Sequence, residues 1–477
     1  MKKNEYDVII IGAGIGGLVC GCYLAKAGMK VLMVEKERKA GGCCKSFFIN
    51  KIKFQAGPHS LSSLRRGGIL NVILSELELS RAIEIKRSHL TDRFIAPDLI
   101  FNLHNNEAEI LDEIAKKFPK EKKIGEFITK VINQSLFLII SKYRKYTFEK
   151  VLRRYVNNNK LNAIFSLFLL GNSGLPPSKI NAAKALILLK EHFMDGGYFL
   201  KDGIDSLPIE LEKKFINYSG QILFNSFINE KILFKNNFYY IPINNSLFAR
   251  SKFVVCSSDM AFFVKHSLKL NVNNIYRTRN MEPSLSCFVL YLSGEKCNYK
   301  ENNIIKDEPL TVWDIPHYDA EFTYDRILKG EIESDSSYFM VCNLSKTDND
   351  SVNKVKIACN APFRNREFWE KEKEAKTIKI LEKIKNKYEL FRNFQLQSIT
   401  TPIDILTYTS NQNGATYGWA PYVDQSYLSN VFKKNAFKNI FFSSHWNTFG
   451  SGIPNVASSG RAAAFRIIKS FGVKSTF

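Results

Sequence analysis

The glycines Gly12, Gly14, Gly16 and Gly17, with Ala13 and Ile15 between them, follow directly on the short apolar run Asp7–Ile11. Behind a strand this spacing serves three needs: one glycine makes the tight turn, one lets a pyrophosphate reach the backbone, and one allows helix and strand to approach. The helix that opens here turns free N–H groups and the positive end of its dipole toward phosphate. Glu35 stands about 20 residues further on, closing the apolar run Lys30–Glu35, where a carboxylate accepts hydrogen bonds from ribose hydroxyls. Glycines alone are a weak signal. With a strand, a helix and an acid in register they specify dinucleotide binding, although they do not separate FAD from NAD.

The elements that must hold these residues are legible around them. Asp7–Ile11 is rich in isoleucine, as a strand buried on both faces of a parallel sheet should be. Residues 18–27 read as a helix closed by Gly28, and Lys30–Glu35 as a second strand, completing a βαβ unit. From 86 to 195 the pattern turns mainly helical, with lysines and large apolar residues mixed through Phe127–Tyr143 and Leu161–Leu170. Past Gly196-Gly197-Tyr198, a helix near Ser206–Tyr218 and strand-like runs at Gln221–Phe227 and Phe253–Cys256 return the chain to its first domain. Residues 284–293 and 337–343 are strand-like again, and Phe368–Tyr388 is a charged amphipathic helix. The expected organisation is interleaved. Residues 1–85, 196–265 and 410–477 make a Rossmann-type α/β domain, 266–409 an α+β substrate domain, and 86–195 a helical insertion facing substrate or membrane.

Glu35-Lys36, then Gly41-Gly42-Cys43-Cys44-Lys45-Ser46-Phe47, then Phe54-Gln55-Ala56-Gly57-Pro58-His59 resemble the start of the phytoene desaturase, carotenoid isomerase and retinol saturase flavoproteins. The resemblance implies FAD as the cofactor and an amine-oxidase-like two-domain flavoprotein fold. It makes Gly41, Gly42, Cys43, Cys44, Ser46, Gly57, Pro58 and His59 flavin-domain residues beside Gly12–Gly17, Glu35 and Lys36. The Cys43-Cys44 pair is most similar to the retinol saturase branch. The likeness continues at Gly196-Gly197-Tyr198 to Gly203, although Asp202 stands where a second glycine is common. It extends to Gly220–Ile232, similar to a strand pair whose backbone meets the adenine, with Ile228 as the implied contact. Near the end, Thr401-Pro402, Gly414 to Trp419, and Gly450 through Gly460 resemble the closing flavin motif and its helix, which adds Gly452, Ile453, Pro454 and Val456. Ser443-Ser444-His445-Trp446 departs from the family, which often carries an acid there for the ribityl chain. Ser444 and His445 take that place.

A flavin ring accepts a hydride, so the protein need only lay a C–H bond on its face and exclude water. No acid–base pair is required, and none is evident among seven scattered histidines. The resemblance puts His59 and His445 near the flavin, while Tyr417 and Trp419 are candidates for an aromatic wall or for core. The expected substrate is a long isoprenoid or other polyene chain, desaturated, isomerised or saturated at carbon–carbon bonds. An amine-oxidase-like enzyme of small polar amines and an inactive binding protein on the same fold are the alternatives, the latter motivated by Asp202, Ser444 and His445.

The remaining composition bounds partners. With 68 Lys and Arg against 46 Asp and Glu the chain carries +22, but the lysines are dispersed and no nucleic-acid-binding module accompanies them. Nine cysteines, including the close pairs Cys20/Cys22 and Cys43/Cys44, lack the spacing of a structural zinc site and suit a reducing cytoplasm. No stretch reaches the roughly 18 apolar residues of a spanning helix. Lys142, Arg144, Lys145, Arg153 and Arg154, set among Phe137–Ile140, Phe165, Phe168 and Leu169, read equally as a membrane-resting surface or as an ordinary helical bundle. Peripheral contact with lipid at the cytoplasmic membrane surface is the expectation.

Overall fold

Isoleucine and valine without alternation bury β1 (Glu5–Ile11) on both faces: Val8, Ile9 and Ile10 are inaccessible. Such a strand belongs in the middle of a parallel sheet, and β1 pairs in parallel with β2 (Val31–Val34) on one side and with Leu247–Cys256 on the other. Gln221–Leu223 continues the sheet beyond β2, and Ile440–Phe442 runs parallel beside Val254–Cys256. The antiparallel strands Phe238–Ile243 and Leu233–Lys235 finish the other edge. This computed structural model describes residues 4–244, 247–271, 281–295, 309–335, 337–347, 352–425, 437–447 and 450–472.

Helix α1 (Ile15–Lys26) is apolar all round and buried from Ile15 to Ala25, so it must be covered on more than one side. The helices Ser206–Asn217 and Ile453–Phe471 provide that cover. Close approach is possible because two glycines face each other. A Cβ on Gly460 would lie 2.3 Å from the carbonyl oxygen of Gly16, and one on Gly16 would lie 1.7 Å from that of Ser443. Arg461 forks onto Glu76 at 2.7 and 2.8 Å, and Tyr23 of α1 donates to the same carboxylate, locking the closing helix to both α1 and Ile69–Glu76.

A second seven-stranded sheet runs Gln395–Thr400, Ser286–Glu295, Val352–Ala361, Phe339–Asn343, Thr311–Asp314, Leu90–Ala96 and Leu99–His104 in spatial order. It is antiparallel except between Thr311–Asp314 and Leu90–Ala96. The last two strands correct the helical reading of 86–195. Charged Asp92 and Arg93 break the apolar alternation that would have announced a strand, and each is compensated inside the fold: Asp92 accepts from Trp313 Nε1 at 2.7 Å and Arg93 donates to Asn102 at 2.9 Å.

Beyond the short strand Ile85–Arg87, the rest of 86–195 is mainly helical, and from Leu161 on it is largely buried. Phe127, Phe148, Phe165, Phe168 and Leu169 fill one core with Phe94 and Trp313 of the second sheet. Phe127–Tyr143 is not one helix: a π-helical turn, Phe127–Ile132, is followed by Leu136–Tyr143 at 110°, with the Ser135 side chain capping the new helix through Leu138 N. No single helix among the described residues is long and apolar enough to cross a membrane. At the bend Leu136, Phe137 and Leu138 are exposed, Phe137 by 79%.

The glycine contact between α1 and the closing helix is overfilled by any side chain. Gly460→Val should lower the apparent Tm by several degrees in a thermal scan, the outcome of roughly 1–3 kcal/mol of overpacking. Gly125→Ala, where an added Cβ meets nothing within 4 Å, should leave it unchanged.

Candidate functional site

At the C-terminal end of β1, Gly12 takes φ of +100° and its N–H donates to Val34 O at 2.8 Å, which bends the chain away from the sheet. Gly14 then caps α1 in an extended conformation. No side chain caps this helix and no acid sits in its first turn, so its leading N–H groups are left for an anion. Gly16 and Gly17 are explained by packing, since a Cβ on Gly17 would meet Gly12 O at 2.2 Å. Gly14 is not: its nearest neighbour to an added Cβ is Ser257 Oγ at 3.9 Å. Space in front of Gly14 is kept open with no protein group filling it, as a bound pyrophosphate requires.

The second loop comes against this one. Gly41 N donates to Ala13 O at 2.8 Å, and a Cβ on Gly42 would lie 3.2 Å from the Gly14 Cα. Glu35, 6% exposed, orders both loops: Oε2 accepts from Ala13 N at 2.7 Å and Oε1 from Glu37 N at 2.9 Å. Each oxygen retains acceptor capacity for a hydroxyl. Its backbone carbonyl accepts from Ser226 N at 2.9 Å, bringing the 221–228 segment across the end of β2. That segment holds one short strand, Gln221–Leu223, and not the expected strand pair. The Ser226 N bond to Glu35 and the Phe227 N bond to Asn244 Oδ1 replace the second ladder. Ile228 is half-buried and packs against the core containing Leu32 and Val34. Lys36 reaches out to Ser410 Oγ at 3.2 Å.

Cys43 is exposed, whereas Cys44 is buried and burial raises its thiol well above the usual range. Ser46 Oγ is shut off from solvent without a hydrogen-bond partner. Lys45, which the sequence did not single out, is buried with its charge weakened by desolvation and lies over the Tyr408 ring at 5.8 Å. Gly57 touches the Cys43 backbone, a Cβ there meeting Cys43 O at 2.3 Å, so Gly57-Pro58-His59 lies directly behind the second loop.

The second sheet supplies the floor beneath that stretch. Lys356 Nζ donates to Gly57 O, Tyr291 OH to Ala56 O at 3.0 Å, and His59 Nε2 meets Thr311 Oγ1 at 2.8 Å. Burial, with Lys356 nearby, pushes the His59 imidazole down to about 3, so it is neutral at any ordinary pH. Lys356 is itself lowered by burial. Asp92, raised to about 6 by burial, lies on the same sheet. None of Lys356, Thr311 and Asp92 was found from sequence. The available signal was Lys354 and Lys356 inside the strand Val352–Ala361, since a lysine with no water must have a designated partner.

The closing motif covers the opposite side. Tyr417 and Trp419 alternate into different cores. Tyr417 OH donates to Gly171 O and accepts from Asn360 Nδ2 at 3.3 Å, with Cys287 Sγ at 3.9 Å, and burial drives its phenol far above the usual range. Trp419 packs edge to face on Trp446 with ring centres 4.9 Å apart, in the core of the first domain. His445 stands against Gly418, whose added Cβ would lie 2.8 Å from its ring. Its Nε2 is shut off from solvent without a partner, and burial lowers it to about 4. Ser444 turns its hydroxyl to Ser258 O at 3.1 Å. Gly452 then opens the helix Ile453–Phe471 with Pro454 in the first turn and, like Gly14, with no side-chain cap. Val456 Cγ1 would be 3.3 Å from a Cβ on Gly16, so two uncapped helix N-termini meet here. His192, on the π-helical turn Leu189–Met194, puts Nε2 3.2 Å from the place of a Gly452 Cβ.

Residues 10–77 match the NAD(P)-binding Rossmann-like domain family. All-trans-retinol 13,14-reductase of Danio rerio is 24% identical over 265 residues, which is 48% of this chain and 43% of the relative. The chain thus matches less than half the length of these reductases. The 4,4'-diapophytoene desaturase (4,4'-diapolycopene-forming) of Methylomonas is 22% identical over 97% of this chain and 95% of its own. Chloroplastic prolycopene isomerase of Daucus carota is 34% identical over 26% of this chain and 20% of its own. Among solved structures, an oxidoreductase of Methanosarcina mazei superposes with a TM-score of 0.69 at 14% identity, covering 96% of this chain and 99% of that one. Putrescine oxidase follows with 0.65 at 12% identity, covering 98% and 99%. The two-domain flavoprotein fold expected from the sequence is the fold observed, and in its motifs and relatives the chain is similar to the phytoene desaturase, carotenoid isomerase and retinol saturase oxidoreductases.

Proposed function

We propose that the protein is an FAD-dependent oxidoreductase that desaturates, isomerises or saturates carbon–carbon bonds in a long, hydrophobic isoprenoid or polyene chain. One observation carries the reading: two helix N-termini without caps, α1 at Gly14 and Ile453–Phe471 at Gly452, meet at Gly16 and Val456, and the loop that opens α1 is held by the Glu35 carboxylate through Ala13 N. A dinucleotide satisfies all three at once. Gly12–Gly17 hold the pyrophosphate, Glu35 the ribose, and the 221–228 backbone the adenine end. Gly41, Gly42, Ser46 and Gly57-Pro58-His59 flank the ring from one side, and Ser444, His445 and Gly452–Val456 from the other. FAD supplies the hydride acceptor or donor. The chain's own residues position the cofactor and keep water out: neutral His59 and His445 present imidazoles without charge, and Lys356 fixes Gly57 from below.

A water-insoluble substrate is taken from a membrane surface. Leu136, Phe137 and Leu138 project from the bend, and Lys142, Arg144, Lys145, Arg153 and Arg154 in the chain that follows are exposed. Exposed apolar side chains followed by exposed cations suit an anionic leaflet.

Glu35→Ala removes charge-assisted bonds together worth about 2 kcal/mol, so FAD affinity should fall roughly thirtyfold. Gly14→Val should give folded protein nearly free of flavin. Flavin absorbance after desalting reads both, and wild-type occupancy in either variant removes that residue from the site.

Purified flavoprotein incubated with an all-trans polyene alcohol and with an acyclic carotene, under oxidising and reducing conditions, should yield a product differing by two hydrogens or by double-bond geometry. Chromatography with mass detection decides. Turnover of a diamine, with neither polyene changed, would favour the amine-oxidase alternative.

The protein should sediment with anionic vesicles at low salt, and much less at high salt. Phe137→Glu should abolish sedimentation with the fold intact. Equal binding by that variant would move the contact elsewhere.

A further inference from the structure

His89, His104 and Glu109 gather at one end of the hairpin Leu90–Ala96/Leu99–His104, and none of them is among the residues assigned to the dinucleotide. His89 immediately precedes the first strand, His104 closes the second opposite Leu90, and Glu109 lies in the first turn of the helix Glu107–Lys117. The backbone holds them in place: Asn105 N donates to His89 O at 2.9 Å, and the Asn106 cap accepts from Glu109 N at 2.9 Å. Glu109 Oε2 is 3.0 Å from His89 Nε2 and 3.1 Å from His104 Nδ1, and the three ligand atoms lie within 4.8 Å of one another.

We propose that these residues bind a divalent transition-metal ion of the zinc class, through His89 Nε2, His104 Nδ1 and the Glu109 carboxylate, with water in the fourth position. Metal–ligand lengths of about 2.0–2.2 Å separate neighbouring ligands of a tetrahedral ion by about 3.3–3.6 Å. The spacing of Glu109 from each imidazole comes within a few tenths of an ångström of that edge. His104 Nδ1 and Glu109 Oε2 are both closed to solvent, yet neither makes a properly directed hydrogen bond although they stand 3.1 Å apart. Two such atoms are better satisfied by one shared cation than by each other. His89 is 68% exposed, and its Nε2 already faces both oxygens of the Glu109 carboxylate, at 3.0 and 3.2 Å. Two imidazoles with one carboxylate select a borderline ion over calcium or magnesium, which take oxygen ligands. The bound ion would tie both strands of the hairpin to the start of the helix. Residue spacing carried no metal signature because the ligands come from both ends of a hairpin and the helix after it, brought together by the pairing of Leu90 with His104 and the Asn105–His89 bond.

The test is titration of the full chain, stripped by a chelator, with Zn2+ in a calorimeter and with Co2+ in a spectrophotometer. The wild type should take up an equivalent of Zn2+ that His89→Ala and His104→Ala each bind at least about tenfold more weakly. Co2+ should give the visible bands of a low-coordinate ion, lost in the same variants. His317→Ala should behave as wild type. His89 carries no core packing, so its variant separates ligand loss from misfolding. If the wild type binds neither ion, or if either variant binds as the wild type does, the site is not a metal site.

Discussion

Everything at the dinucleotide site depends on how closely backbone can approach backbone around α1. The helix is apolar on every side, and its N-terminus lies under the Ser443 carbonyl and beside Gly460 at separations that only hydrogen leaves room for. That contact sets the position of the closing helix, and so where its uncapped N-terminus falls relative to that of α1. Two uncapped helix N-termini are brought together by glycines whose first duty is steric, so the anion site proposed for the pair would be a by-product of packing.

The second sheet matters to the site more than its distance in sequence suggests. Lys356, Tyr291 and Thr311 bond to the Ala56–His59 stretch, so the loop behind the cofactor position is fastened by side chains from a separate domain. These bonds lie in a low-dielectric interior, where leaving one unmade is costly. The two domains therefore form one positioning device, and the orientation of Gly57-Pro58-His59 is only as good as their docking.

Sequence reading succeeded where the local pattern and its physical cause coincide. The runs Asp7–Ile11 and Lys30–Glu35 fall on β1 and β2, the glycines between them open α1, and Leu161–Leu170 lies within the helix Asn159–Ser173. It failed where a buried charge interrupts periodicity. Leu90–Ala96 contains Asp92 and Arg93, and the partner that excuses Asp92, Trp313, is remote in the chain. Lys356 is hidden from sequence for the same reason. The expected strand pair after Gly220 is a single strand because the segment's N–H groups are spent on Glu35 and Asn244. In the helical region composition could not decide between core and surface. The fold divides it: Phe165, Phe168 and Leu169 go inside, and three residues at a bend stay out.

The cover of α1 has an order in time. Its shielding helix Ile453–Phe471 is synthesised more than 400 residues after it. At ribosomal speeds of about 5–20 residues per second, one apolar flank of α1 waits about 20–80 s for its partner. During that interval the nascent chain carries a greasy helix and an unfinished sheet, a standing invitation to chaperones. Under the proposed site, cofactor capture would come late, after translation has passed Gly452 and not while the first glycine loop is being made.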